Sequence, residues 1–180
     1  MRGPSARPPV IVVMGVSAAG KSVVGAALAR RLGAPFLDGD EFHPLANKDK
    51  MREGIALTDD DRWPWLNALG CALGETARKN GQVVGACSAL RRSYRDHLRT
   101  AAGEPILFAF LHGDAATLEQ RIRSRRHEYM NPALLASQLA TLEPPTPYEN
   151  AIPIDIGKPV AAIVHQLSSA IPGATHLYEI

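Results

Sequence analysis

The stretch Gly15-Val-Ser-Ala-Ala-Gly-Lys-Ser22 has the residue types and the spacing to bind phosphate. Two glycines separated by four residues precede a lysine and a hydroxyl residue, which is the pattern of a P-loop. Gly15 and Gly20 lack a Cβ, so the backbone can bend tightly and approach an anion. Successive N–H groups in such a loop form an anion-binding nest, and a following helix adds its free N–H groups and dipole. On this reading Gly15, Val16, Ser17, Ala18, Ala19, Gly20, Lys21, Ser22 and Val23 hold ATP. Lys21 reaches the outer phosphates, and the Ser22 hydroxyl ligates Mg²⁺.

A phosphoryl-transfer site needs one acidic group near the metal and another to orient or deprotonate the acceptor hydroxyl. Asp38 and Asp40 lie two apart on a segment read as extended, so both point the same way. Asp38 is assigned to the metal shell and Asp40 to the acceptor. Asp-Gly-Asp is also good turn material, and the neighbouring P-loop is what favours chemistry here. Arg121 and Arg125 are four apart and share one helical face. They precede the loop His127–Asn131, where cations could close over the ATP phosphates and exclude water, and a solvated basic face is the alternative. Arg123 has Glu119 four residues before it and reads as a solvated pair. Arg91, Arg92 and Arg95 could hold a carboxylate or phosphate of the acceptor. A solvated basic helix surface explains them equally well. Asn47-Lys48-Asp49-Lys50 approaches a guanine-reading Asn-Lys-x-Asp, but its fourth residue is lysine, so guanine is disfavoured.

These side chains need a frame. Val10–Met14 is apolar throughout, as a parallel strand covered on both faces must be. Lys21 to Leu32 reads as a helix stopped by Gly33. Pro35 to Leu37 is a short second strand, and Pro44 to Arg52 a short helix ended by Gly54. Thr58 and Asp59 to Asp61 supply capping oxygens for the next helix, with Pro64 in its first turn. Trp65 lies on that helix's apolar stripe and reads as a core anchor. Gln82 to Cys87 is a third strand, followed by a basic helix from Arg91 to Ala101. Ile106 to Leu111 is a fourth strand, and Asp114 caps a helix from Ala115 to Arg125. Pro132 starts another helix, and Glu143 to Asn150 is irregular. Ile152 to Ile156 is a fifth strand, expected at an edge because Pro153 lacks a ladder donor. Val160 to Ile171 is the last helix.

Alternating strands and helices predict a parallel sheet with helices on both faces. Ligands in such sheets bind beyond the carboxyl ends of the strands. That rule gathers the P-loop, Asp38 with Asp40, and Cys87-Ser88 into one crevice. The expected fold is α/β, three layers, with a parallel five-stranded sheet. Residues 1–180 read as one domain, with a frayed tail over 1–8.

The composition is ordinary for a globular chain: 180 residues, 46% hydrophobic and 21% charged. A net charge of +2 is too small to argue for nucleic acid as the main partner. Cys71 and Cys87 fit neither a disulfide framework nor a zinc site and read as reduced thiols. No apolar run is long enough to span a membrane, and no signal peptide is visible, so a cytoplasmic placement is expected.

Several stretches together resemble the P-loop gluconate kinases. They are the loop itself, Leu37-Asp-Gly-Asp-Glu-Phe-His-Pro44 with Asn47, Lys50 and Met51, and Asp59-Asp-Asp-Arg62 with Pro64-Trp-Leu66. Cys87-Ser-Ala-Leu-Arg-Arg-Ser-Tyr-Arg-Asp96 and Ser137-Gln138 with Leu142-Glu-Pro144 extend the likeness. The resemblance implies the nucleoside-monophosphate-kinase-like fold with a small helical lid around 121–138, commonly a homodimer. It implies ATP-dependent phosphorylation of D-gluconate to 6-phosphogluconate. Carried over, Lys21, Asp40, Arg121 and Arg125 are catalytic. Asp40, His43, Asn47, Lys50, Arg91 and Arg95 face the acceptor, and Ser22 and Asp38 face Mg²⁺. Two departures stand out: Val23 replaces a hydroxyl residue, and the lid reads His127-Glu-Tyr-Met-Asn131 where Gly-His-Phe-Met-Pro is expected. Two alternatives are a P-loop kinase for another small hydroxy acid such as shikimate, and a non-catalytic nucleotide switch. The polar segment from Asp38 to Asp61 favours an acceptor pocket over a switch.

Overall fold

The computed structural model describes residues 7–124 and 132–171. Five parallel strands form one sheet in the order β2-β3-β1-β4-β5. They are β1 (Val10–Met14), β2 (Phe36–Asp38), β3 (Val83–Ala86), β4 (Ile106–His112) and β5 (Ala151–Asp155). β1 is central and wholly buried, which is why its five residues show no polar alternation. β5 is an edge strand and carries Pro153, as its missing N–H requires.

The described helices are α1 (Lys21–Leu32), α2 (Leu45–Arg52), α3 (Asp59–Asn80), α4 (Arg92–Ala102), α5 (Ala115–Ser124), α6 (Pro132–Thr141) and α7 (Val160–Ala170). Side chains alternate across a strand, and this separates the helices into two layers. Phe36 pairs in register with Val84, and Leu37 with Gly85. A Cβ on Gly25 of α1 would lie 2.6 Å from the Phe36 ring, whereas a Cβ on Gly85 would meet Leu73 of α3 at 2.8 Å. Adjacent registers therefore face opposite layers, α1 on one side and α3 on the other. α7 packs on α1, and α4 packs on α3.

Close helix contact has its own sequence cause. Gly70 and Gly74 sit one turn apart on α3, and a Cβ at Gly74 would stand 2.0 Å from the Ala102 carbonyl oxygen of α4. α3 opens with a reciprocal capping box in which Thr58 and Asp61 satisfy each other's backbone N–H. Pro64 sits in the second turn of α3 and not in the first as expected, because the cap at Thr58 starts the helix earlier. Asp114 caps α5 through the Thr117 N–H at 2.7 Å, and Gly33 ends α1 with φ 65°.

Candidate active site

The crevice lies at the carboxyl ends of β1, β2 and β3, which are neighbours in the sheet. The P-loop joins β1 to α1. Gly15 has φ 148° and a Cβ there would clash with the Leu111 carbonyl oxygen at 2.6 Å. Gly20 has φ 94°, and Ala18 also adopts a left-handed φ of 64°. An alanine in that region costs about 1–2 kcal/mol, so surrounding contacts must hold it. Those contacts are visible. The Gly15 N–H donates to the Ser88 carbonyl at 3.3 Å and the Ala19 N–H to the Val16 carbonyl at 3.2 Å. The Ser17 N–H donates to Gln138 Oε1 at 2.7 Å. Arg121 donates to the Ala18 and Ala19 carbonyls, both at 3.4 Å, and to the Ile156 carbonyl at 2.6 Å. Lys21 Nζ donates to the Val16 carbonyl at 3.0 Å, so the lysine lies along the loop. Val23 is exposed in the first turn of α1.

Asp38 ends β2 beside this loop. Its Oδ2 accepts the Ser22 hydroxyl at 2.6 Å, and its Oδ1 accepts the Asp40 N–H at 3.1 Å. The two aspartates therefore do not share one extended segment, contrary to expectation. Asp38 is the N-cap of a 3-10 turn over Gly39–Phe42, and Asp40 sits inside that turn, exposed. The Asp38 cap holds the turn, and Gly39 lets it lie against β3, where a Cβ would stand 2.3 Å from the Ala86 carbonyl oxygen. Cys87, next to the crevice, is buried, and that burial pushes its thiol up to about 12. It is a neutral packing residue and no nucleophile.

Two polar clusters continue from the aspartates. In the first, His43 stacks on Trp65 with ring centroids 3.9 Å apart, and Trp65 Nε1 donates to the Gly39 carbonyl at 2.7 Å. Asn47 Nδ2 lies 3.3 Å from His43 Nδ1 and donates to the Asp61 carbonyl at 2.8 Å. That donor assigns the His43 ring proton to Nε2. Burial, with the nearby charges of Lys48 and Arg62, lowers His43 to about 4, so the ring is neutral at pH 7. Lys50 Nζ grips both Asp61 oxygens, at 2.9 and 2.8 Å. Those bonds and the Thr58 backbone bond pull the Asp61 carboxyl down to about 2.

In the second cluster the Tyr94 hydroxyl donates to Asp59, while Arg62 donates to Tyr94 Oη at 3.1 Å. Arg91 pairs with Asp59 at 3.4 Å. Both guanidinium groups lie over the Tyr94 ring, 5.3 and 5.9 Å from its centroid.

Arg95 departs from its expected role in binding the acceptor. It is fully buried, and its guanidinium forms a two-toothed pair with Glu149 at 2.6 and 3.1 Å. Its remaining bonds go to the Ala89 and Leu90 carbonyls at 2.9 and 3.2 Å. Burial alone would raise the Glu149 carboxyl, but the Arg95 bonds and the Thr146 N–H outweigh it and hold the group at about 2. Arg95 therefore braces the loop after β3 and cannot reach an acceptor. Arg92 pairs loosely with Asp96, and Arg123 with Glu119, both at the surface. Arg125, His127, Glu128 and Asn131 lie outside the described residues.

The residues that sequence reasoning missed are Glu149, Tyr94 and Gln138. Gln138 carried a signal: it stands four after Leu134 and four before Leu142, a polar residue on an otherwise apolar stripe. Among the described residues no cluster of three or more His, Cys, Asp or Glu could hold a metal, and no helix is long and apolar enough to cross a membrane.

The chain matches the family model described as "AAA domain" over residues 10–145. It is 40% identical to a probable gluconokinase of Xenopus tropicalis over 176 residues, covering 90% of this chain and 93% of the relative. A crystal structure of a gluconokinase from Sinorhizobium meliloti superposes with a TM-score of 0.79 at 49% identity, covering 88% of this chain and 89% of that one. An unliganded sugar kinase from Janibacter sp. superposes with a TM-score of 0.84 at 36% identity, over 94% and 98% of the two chains.

Proposed function

The chain belongs to the gluconokinase family, and from that premise we propose that it transfers the γ-phosphoryl group of ATP to the terminal hydroxyl of D-gluconate. The observation that carries this reading is the junction of the P-loop, at the end of β1, with Asp38 and Asp40, at the end of β2, across the intervening β3. A phosphate site and an acidic acceptor site share one crevice there.

In this mechanism the N–H groups of the P-loop and the Lys21 ammonium take up phosphate charge. The gluconate hydroxyl oxygen attacks the γ-phosphorus, its proton passes to the Asp40 carboxylate, and the bond to the β-phosphate oxygen breaks to release ADP. Arg91, half-exposed beside Asp59, is suited to the gluconate carboxylate. Neutral His43 offers an Nε2–H to a sugar hydroxyl, with Asn47 fixing its tautomer and Lys50 anchoring Asp61 beneath it. Arg121 steadies the loop through its carbonyls, and Arg125 is proposed as its partner on the lid.

Ser22 Oγ and Asp38 Oδ2, hard oxygens 2.6 Å apart, fit Mg²⁺, which takes few protein ligands and shares phosphate oxygens. When bound, the ion would neutralise charge on the transferred group. We read residues 1–180 as one catalytic unit, its lid spanning 121–138, acting in the cytoplasm as a homodimer. What supports the lid reading is that both described flanks, Arg121 and Gln138, touch the P-loop.

The test is ADP release measured by a coupled assay with a panel of acceptors at fixed ATP and Mg²⁺. Turnover stimulated by gluconate is expected. Stimulation by another hydroxy acid with none by gluconate sinks the substrate assignment, and slow hydrolysis that ignores every acceptor favours the switch. Gel filtration with light scattering checks the dimer.

A further inference from the structure

The P-loop divides its N–H groups into two sets. Those of Gly15, Ser17 and Ala19 donate to Ser88, Gln138 and Val16. Among the described residues those of Val16, Ala18, Gly20 and Ser22 have no protein acceptor. The alternation means that the first set anchors the loop and leaves the second for an anion. Two of the three anchors are backbone carbonyls, that of Ser88 just after β3 and that of Val16 in the loop itself. The third is a side chain from α6, 121 residues away in sequence. It acts at the residue before Ala18, whose left-handed φ of 64° the loop must sustain.

Resting on the nucleotide-site reading above, we propose that Gln138 is a positioning residue that holds the P-loop in its phosphate-binding shape through the Ser17 N–H. Its carboxamide oxygen is an uncharged acceptor, so it satisfies the amide without adding a negative charge beside the phosphates. The bond makes the placement of α6 and the shape of the nucleotide loop interdependent. Gln138 works on the loop and does not touch the reacting atoms.

The test is Gln138→Met, which keeps length and helix propensity and removes the acceptor. Three quantities are read in wild type and variant: hydrogen exchange of the Ser17 amide by NMR, the Kd for AMPPNP by calorimetry, and the KM for gluconate. In the wild type without nucleotide the Ser17 amide is expected to be protected. In the variant its exchange should accelerate at least about tenfold, and the Kd for AMPPNP should rise about tenfold. The KM for gluconate should stay within about twofold. An unprotected Ser17 amide in the wild type, or an unchanged AMPPNP affinity in the variant, overturns the proposal. So does an equal rise in the nucleotide Kd and the gluconate KM, which would mark a general structural role. Absence of AMPPNP binding by the wild type refutes the kinase reading itself, and this inference with it.

Discussion

Arg95→Met asks whether that arginine serves the substrate or the fold. Arg95 and Glu149 side chains are 0% and 3% exposed, and the pair is closed by bonds of 2.6 and 3.1 Å. Removing the guanidinium leaves a buried carboxylate without its partner and takes the Arg95 donor from the Ala89 carbonyl, while the Leu90 carbonyl keeps the Glu143 N–H at 2.8 Å. Breaking such a pair from one side costs about 3–5 kcal/mol. The Arg95 bonds, with the Thr146 N–H, outweigh burial and hold the Glu149 carboxyl below its usual range, at about 2. For a chain of this length the loss should lower Tm by about 10 °C, read by circular dichroism. The sign in pH follows from the depressed carboxyl. Its stabilisation is complete above pH 4.5 and fades as pH falls towards about 2. The wild type should therefore lose stability over that acid range, and the double variant Arg95→Met with Glu149→Met should lose less while recovering most of the Tm. The opposite pattern, a large rise in gluconate KM with Tm unmoved, would refute the structural role and restore Arg95 to the substrate.

Three other perturbations address the chemistry and the helix layer. Lys21→Ala should cut kcat by about 10²-fold or more while leaving Tm within a few degrees, since the ammonium bonds a carbonyl of the loop at its surface and not a core group; normal turnover removes it from the phosphate site. Asp40→Asn should lower kcat by about 10²–10⁴-fold with little change in the KM for ATP, as steady-state kinetics would record; near-normal kcat excludes Asp40 as the proton acceptor. Gly74→Ala should destabilise by about 2–3 kcal/mol in urea melts, because its Cβ would stand 2.0 Å from the Ala102 carbonyl oxygen and α3 and α4 must separate; an unchanged midpoint would mean that the helices part at no cost.

Much of the frame is local, and local signals were legible. The apolar run Val10–Met14, the glycine stop at Gly33, the Thr58 and Asp114 caps and the edge proline Pro153 each act on backbone within a few residues. The P-loop belongs with them, since its glycines, lysine and serine are contiguous. The alternation of strands and helices then implied the sheet and its crevice. Even locally one reading failed at Asp38 and Asp40. The bend between them is held by the Asp38 carboxylate on the Asp40 N–H, the turn chemistry that Asp-Gly-Asp also offered, and only the packing of Gly39 against the Ala86 carbonyl of β3 lay beyond the local sequence.

The roles of polar side chains were the part the chain order could not disclose. Arg91 and Arg95 occupy one helix start and differ by four residues, yet Arg91 is half-exposed beside Asp59 and Arg95 is sealed against Glu149. Glu149 is 54 residues further on, so nothing near Arg95 announced its partner. Gln138 likewise meets Ser17 across 121 residues. By itself the sequence determined that a phosphate loop sits between β1 and α1 and that acids follow β2. Only the tertiary structure decided which charges face the crevice and which brace it. A charged or amide group takes its function from the partner it meets and from its access to water, and both are set by packing between segments distant in the chain.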